Sequence, residues 1–491
     1  MLGGSLVVLL AMVATYGSGR LHWALVPIAM CGGMEAPWVV RWLRGRADPL
    51  DPKSLVSVFV FHNTFTAALL HLGWDWYTPL VRVPPDPWEW MGRLGVLNVA
   101  SVFCLEAAYA IGTRVWATPR PPRPLSRARL SAAVVGCATA AVLAETYVWR
   151  RFGGPLGMIE AYEARGVEFV GTGWALMLAW PFFLVLFFGW IVRYRVARPL
   201  HRSSLVPIVV VFGVFALCHF AWVGLNGSRS SILAGLFLAA GFVHFLVCRL
   251  PAHVVRVGMV FLLVFAFFYS FYKGAGRAGI ADALTRPGGL SDVQARTGRD
   301  VRWLLLGDLA RADIQMEVLW TMYDANPRYR LKWGGTYVGA AVFIPRNIWP
   351  TRTHGPQEAY AELAQGLSGR VRPGDKAGSR VFGLVGETLL NFGWVGVPLA
   401  HVLYGLLIAF VHRLVRGVRL GNAAGFLAPL WIFLTVELYL ADLVNVAFMF
   451  FQDGAMLILV WTAAVRWGAR RPAAVSYASR SSYAAVTAHV A

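Results

Sequence analysis

Arg256–Tyr272, RVGMVFLLVFAFFYSFY, carries a single charge at its first residue and none in the sixteen that follow. Crossing about 30 Å of hydrocarbon takes roughly 20 apolar residues, and a run this apolar has no comfortable place on a water-facing surface. Lipid offers a peptide group no hydrogen-bond partner, so such a run must be helical. Residues 95–116 and 131–149 read the same way. Working outward, the pattern recurs near 3–17, 23–42, 54–73, 173–192, 204–224, 231–248, 382–412, 425–442 and 446–465, which makes twelve spans with 256–272. The whole chain of 491 residues agrees, being 57% hydrophobic and 14% charged with a mean hydropathy of +0.57. The expected fold class is an all-α polytopic membrane protein with about 12 transmembrane helices and one large outer loop. Its divisions are 1–272 (nine spans), 273–380 (the loop), 381–466 (three spans) and 467–491 (a disordered cytoplasmic tail). The first span lacks a basic leader, so an uncleaved anchor is expected.

Basic residues orient the chain. Connections containing Arg41, Arg44, Arg46, Lys53, Arg114, Arg120, Arg123, Arg127 and Arg129 alternate with short connections that hold far fewer basic residues (Arg20, Arg82, Arg93, Arg150, Arg151, Arg165 and Arg229). Arg193, Arg195, Arg198, Arg202, Arg249, Arg256, Arg413, Arg416 and Arg419 continue the alternation. Short loops rich in arginine stay inside, which places both termini in the cytoplasm, while long loops are exempt from the rule. The net charge of +20 is therefore largely topological and does not point to nucleic acid. The five cysteines lie in or beside spans, which argues against a disulfide framework or a metal cluster, and no metal or cofactor is expected. Nine spans, a loop and three spans do not divide into the related halves of many transporters.

Within the loop, Asp300–Tyr323 has apolar residues Leu304, Leu305, Ile314, Val318 and Leu319 near helical spacing, with Asp308, Arg311, Asp313 and Glu317 between them. An amphipathic helix along the membrane surface is expected, with Asp308 or Asp313 facing a substrate as the alternative. Gly334-Gly335-Thr336-Tyr337 and a short apolar run lead to Pro345-Arg346-Asn347-Ile348-Trp349-Pro350-Thr351-Arg352-Thr353-His354. Prolines restrict the backbone on both sides of Arg346, and a rigid frame suits a phosphate clamp. The chain re-enters the membrane as Gly386-Glu387-Thr388-Leu389-Leu390-Asn391, where Glu387 and Asn391 share a helical face. A carboxylate there is costly unpaired, and a salt bridge to Arg380 or another loop arginine is one way to satisfy it.

Three segments in order, Gly227-Ser228-Arg229-Ser230, Phe343–Pro350 and Gly386–Val397, together resemble the Wzy-type oligosaccharide repeat-unit (O-antigen) polymerases. The likeness covers roughly residues 205–465. Arg352-Thr353 stands where that family often has Lys-Pro. The resemblance implies a glycosyltransferase of the bacterial cytoplasmic membrane, similar to the helical class that uses lipid-linked donors (GT-C-like). Donor and acceptor would be polyprenyl-pyrophosphate-linked glycans, joined at the outer face, with a flippase and a chain-length regulator as possible partners.

That chemistry needs fixed cations at the leaving pyrophosphate, and arginine's fork suits phosphate oxygens. The candidates are Arg229, Arg346 and Arg352, although Arg229 is equally readable as an interfacial side chain reaching for water. A base must take the acceptor hydroxyl's proton, with Glu387 the first choice and His354 the second. Asn391 is placed to orient a sugar or to pack helices. Trp74, Trp76, Tyr77, Trp88 and Trp90 form either sugar platforms or an interfacial belt. Glu35, Glu106, Glu145, His219, His244, Glu437, Asp442 and Asp453 are further ionisable groups within spans. Competing functions are a lipid-linked oligosaccharide flippase, a ligase-type transferase with another acceptor, and a membrane scaffold.

Overall fold

The computed structural model describes residues 22–79, 81–116, 126–163, 172–197, 205–224, 229–326, 332–344, 348–349, 381–416, 418 and 426–465. Most of these residues are helical and none of them is in a strand. The longer helices are α1 Leu25–Leu43, α2 Pro52–Trp74, α3 Pro87–Val115, α4 Arg127–Phe152, α5 Gly173–Tyr194 and α6 Leu205–Val223. They continue as α7 Arg229–Val247, α8 Ala252–Thr285, α9 Ala312–Trp320, α10 Gly383–Arg416, α11 Ala428–Leu440 and α12 Leu443–Ala464. Local chemistry marks several starts. The Asp51 carboxylate accepts from Ser54 N–H at 2.9 Å, and Asp86 accepts from Glu89 N–H at 3.0 Å, each with proline as the next residue. Such caps satisfy amides that a helix leaves open, and proline there gives up no bond.

Nine helices among the described residues are long and apolar enough to cross a bilayer, so this is a multi-pass membrane fold. Three expected spans account for the difference from twelve. The run near 3–17 lies outside the described residues. The 23–42 span is helical as α1, but Glu35, Pro37 and Arg41 keep it out of the apolar set. The 425–442 span shortens to the 13 residues of α11, because the chain turns extended at Ala441 and Asp442. The tail from 466 onward is also outside the described residues.

Two packed groups build the body. Leu130 and Ala141 of α4, Phe188 of α5, Phe215 of α6, Leu238 of α7 and Leu457 of α12 share one core. The other joins α1, α2, α3, α9 and α10. Helix α11 serves both, with Leu430, Phe433 and Leu434 facing the first and Ile432, Val436 and Tyr439 the second. The longest crossing, α3 on α10, is made possible by small residues. A Cβ on Gly405 would lie 2.5 Å from the Leu105 carbonyl oxygen, and one on Gly112 would lie 2.6 Å from the Ala409 Cβ. Close approach of this kind replaces the hydrophobic drive that lipid does not supply.

Lys53, expected in a basic loop, is instead fully buried. Its ammonium pairs with Glu35 of α1 at 3.3 Å and with Glu106 of α3, and donates to the Ser57 hydroxyl at 2.7 Å. One cation thus answers two intramembrane carboxyls on three helices, which gives Glu35 and Glu106 a structural role. Among the described residues, the connections bearing Arg44, Arg249 and Arg416 meet at the nearby end of the bundle. Arg249 donates to the Val418 carbonyl at 3.1 Å, Arg256 donates to that of Leu43 at 2.7 Å, and His412 meets Asp51 at 2.7 Å.

Gly405→Val places two methyl groups against backbone that cannot yield. Thermal unfolding in detergent is expected to show a loss of about 1–3 kcal/mol, whereas valine at Gly213, which has open space around it, leaves the midpoint in place.

Candidate functional site

At the opposite end from those arginines, three chain breaks meet. The first is in α10, where Gly393 adopts φ 72° and ψ −170°, a conformation open to glycine alone. The break exposes carbonyls that helix continuation would have used. Lys332 N–H donates to the Leu390 carbonyl at 3.0 Å and Trp333 N–H to that of Asn391 at 3.1 Å. Trp333 (φ 46°) and Gly334 (φ 81°) are both left-handed, so this turn is held by its docking. The second break separates α11 from α12 at Ala441–Asp442. The third divides the expected Asp300–Tyr323 helix. A π turn at Trp303–Asp308 ends at Leu309, and α9 begins after Arg311.

The third break overturns the surface-helix expectation. Every residue of α9 is buried, polar ones included, so the segment is enclosed by protein and has no solvent face. Asp313 accepts from the Thr78 hydroxyl at 2.7 Å, and Gln315 donates to the Phe382 carbonyl at 3.1 Å.

Glu387 lies where these segments converge, 2% exposed. One carboxylate oxygen accepts from the Thr336 hydroxyl at 3.0 Å, and the other from the Leu443 N–H, at the start of α12, at 2.8 Å. These are the partners in place of the expected arginine, and Arg380 lies outside the described residues. Asn391, one turn on, donates to the Thr336 hydroxyl oxygen at 2.5 Å and to the Glu387 carbonyl at 2.7 Å. Its side-chain oxygen receives the Thr336 N–H at 3.3 Å. Asp442 accepts from Phe382 N–H at 2.8 Å, capping the entry to α10. Tyr337 and Thr388 share a hydroxyl hydrogen bond of 2.8 Å. Burial pushes the Tyr337 phenol up to about 12, so it keeps its proton. The described chain thus folds two carboxyls, an amide and three hydroxyls into one enclosed polar cluster.

Arg311 joins this cluster to a second one. Its Nε donates to the Leu440 carbonyl at 3.1 Å, closing the end of α11, while Nη1 donates to the carbonyls of Asp308 (2.9 Å) and Ala310 (2.6 Å). From there its charge acts on Glu437 and Asp442 on one side and on Asp308 on the other. The Asp308 carboxylate holds Arg229, at the start of α7, in a two-pronged pair of 2.6 and 2.7 Å. Burial alone would raise the Asp308 carboxyl, but Arg229 outweighs it, helped by Arg299 and Arg311, and it stands below the usual carboxylate value.

The structure therefore brings Glu387 and Asn391 into contact and places Arg229 one arginine away, already paired. Arg346, Arg352 and His354 lie outside the described residues, as does the proline-bracketed turn apart from Ile348 and Trp349. Of the aromatic candidates, Tyr77 stacks on His71 at 5.4 Å, Trp76 meets Trp303 edge-on at 6.3 Å, and Trp90 is buried under Arg93. Thr336 and Arg311 were not assigned roles from sequence. The Gly334-Gly335 pair before Thr336 is the one visible sign of Thr336, since it announces a turn. Arg311 has no sign, because its partners are backbone carbonyls, and the one that ties it to α11, Leu440, is 129 residues away.

Thr336→Val keeps the volume but removes the donor to Glu387 and the acceptor for Asn391. A loss of about 1–3 kcal/mol for each stranded group is expected in thermal unfolding, with Thr336→Ser close to wild type. No family model, curated protein or solved structure matches the chain.

Proposed function

We propose that the protein is a membrane glycosyltransferase that polymerises polyprenyl-pyrophosphate-linked oligosaccharide repeat units. The observation that carries this reading is the adjacency, through Arg311, of an enclosed carboxyl cluster and an arginine cluster. Transfer from a lipid pyrophosphate needs a base and a cation within one substrate's length of each other. The order of segments resembling the Wzy-type polymerases is a second support; the resemblance implies a GT-C-like architecture, and about twelve spans are read from hydropathy.

In this reading the acceptor hydroxyl attacks the anomeric carbon of the donor's first sugar. The bond from that carbon to the pyrophosphate oxygen breaks, the hydroxyl proton passes to Glu387, and polyprenyl pyrophosphate departs with the bonding electrons. The Thr336 hydroxyl, donating to Glu387 at 3.0 Å, occupies the position an acceptor hydroxyl would take. Asn391 would hold the acceptor's neighbouring oxygen. Arg229, with Arg346 and Arg352 from the loop, would meet the charge that grows on the leaving group. His354 is the alternative base. Trp333, Ile348 and Trp394 are 76%, 75% and 59% exposed, an apolar rim suited to polyprenyl chains. The junction faces outward and both termini face the cytoplasm of a bacterial cell, with a flippase supplying substrate and a chain-length regulator as further partners.

The test is a reaction with purified protein in lipid and a lipid-linked repeat unit, read as product length on a gel. Wild type should give a ladder, and Glu387→Gln should lower its rate by about 10²-fold or more without loss of folded protein. Movement of the lipid across vesicles with no ladder would overturn polymerisation in favour of a flippase. A single transfer to a different acceptor would make the protein a ligase.

A further inference from the structure

The charges of Lys53, Glu35 and Glu106 do not balance. Two carboxyls face one ammonium, and among the described residues Lys53 is the only cation paired with either of them. Lys53 uses its donors inside the group, on Glu35 at 3.3 Å, on Glu106 and on the Ser57 hydroxyl at 2.7 Å. The rings of Trp38 and Tyr109 stand 5.2 and 5.8 Å from the ammonium. Held as two carboxylates, the group would carry a net negative charge in a setting that does not solvate it, and a buried carboxyl so placed neutralises by taking a proton. The bonding agrees. Glu35 Oε2 accepts from Lys53, while Glu35 Oε1 is buried and accepts from no donor. The two carboxyls also lie within hydrogen-bond reach of each other. Two acceptors repel unless one carries a hydrogen, and a single proton turns one of them into a donor to the other. The other titratable groups around the three are Cys31 on α1, Tyr109 on α3, His401 and Tyr404 on α10 and Tyr439 on α11. His401 meets the Val397 carbonyl at 2.8 Å and Tyr404 donates to that of Thr435 at 2.7 Å. Arg41 lies over the Trp38 ring at 5.3 Å and pairs with neither carboxyl. Beyond Tyr109, whose ring meets His412 edge-on at 5.8 Å, His412 is joined to Asp51 at 2.7 Å.

We propose that Glu35 and Glu106 bind one proton between them, which makes the Lys53 group an electrically neutral proton-binding site shared by α1, α2 and α3. The Glu106 side chain is 27% exposed and those of Glu35 and Lys53 are 0%, so Glu106 is where the proton enters and leaves. The site is independent of the polymerase reading, because it involves none of the groups at the junction end.

The experiment is infrared difference spectroscopy of the full chain in lipid nanodiscs at neutral pH, in H2O and in D2O. Wild type minus Glu35→Gln, and wild type minus Glu106→Gln, should each show one carboxylic-acid C=O band that shifts in D2O. Either change leaves Lys53 a single ionised partner and removes the shared proton. Glu89→Gln, which takes away an exposed carboxylate held by Arg93 at 2.8 Å, should show loss of carboxylate absorption alone. Thermal unfolding gives the second reading. Each single variant should keep the wild-type midpoint, because the group stays neutral. The double variant strands Lys53 as an unpaired buried cation, and its midpoint should fall. Carboxylate bands in place of acid bands in both difference spectra would overturn the proposal, since both groups would then be ionised. Single variants that each lose as much stability as the double variant would overturn it as well.

Discussion

A helix that breaks inside a membrane protein must find new partners for the peptide groups it releases, and here that requirement organises the whole junction end. Gly393 interrupts α10, and the freed carbonyls of Leu390 and Asn391 are taken by the amides of Lys332 and Trp333. The gap between α11 and α12 is closed by Arg311 on the Leu440 carbonyl and by Leu443 N–H on Glu387. The entry to α10 is closed by Asp442 on the Phe382 amide. The first repair is made by backbone amides and the other two by polar side chains, so breaks placed together concentrate polar groups in an otherwise apolar bundle. The candidate site is the sum of those repairs.

This origin explains why structure and chemistry are hard to separate at Glu387. Its two oxygens fasten the loop segment to the start of α12, and a carboxylate so held is oriented in advance of any substrate. Arg311 has the same double character. It caps carbonyls on two segments, and in doing so fixes a positive charge between Asp308 and the Glu437–Asp442 side. At the other end of the bundle Lys53, between Glu35 and Glu106, answers buried carboxyls with an ion pair, and Arg249 and Arg256 take the free carbonyls of Val418 and Leu43.

The membrane class and most spans were legible because hydropathy is a local property, summed along the chain. Residues 95–116, 131–149 and 256–272 were read directly and are helical as α3, α4 and α8. Glu387 and Asn391 were also legible as a pair, because four-residue spacing sets them on one face. What surrounds them was not. Thr336 lies 51 residues before Glu387, and Leu443 lies 56 after it. The period of Asp300–Tyr323 suggests an amphipathic helix, yet the polar residues of α9, Asp313, Gln315 and Glu317, are buried in protein. Periodicity reports which residues share a face and is silent on what covers that face. Lys53 misled for a related reason, since a lysine at a span's edge reads as solvated until its two carboxylates are seen.

The account depends on the junction lying at the outer face of the membrane, where lipid-linked substrate would be presented. Single cysteines in a chain with its five native cysteines replaced by alanine test this directly, using a membrane-impermeant maleimide on intact cells. Ala325 stands exposed beside the junction and Arg46 at the arginine-rich end. The account predicts that Ala325→Cys is labelled in intact cells and Arg46→Cys only after permeabilisation. The reverse pattern would put the junction in the cytoplasm and contradict it.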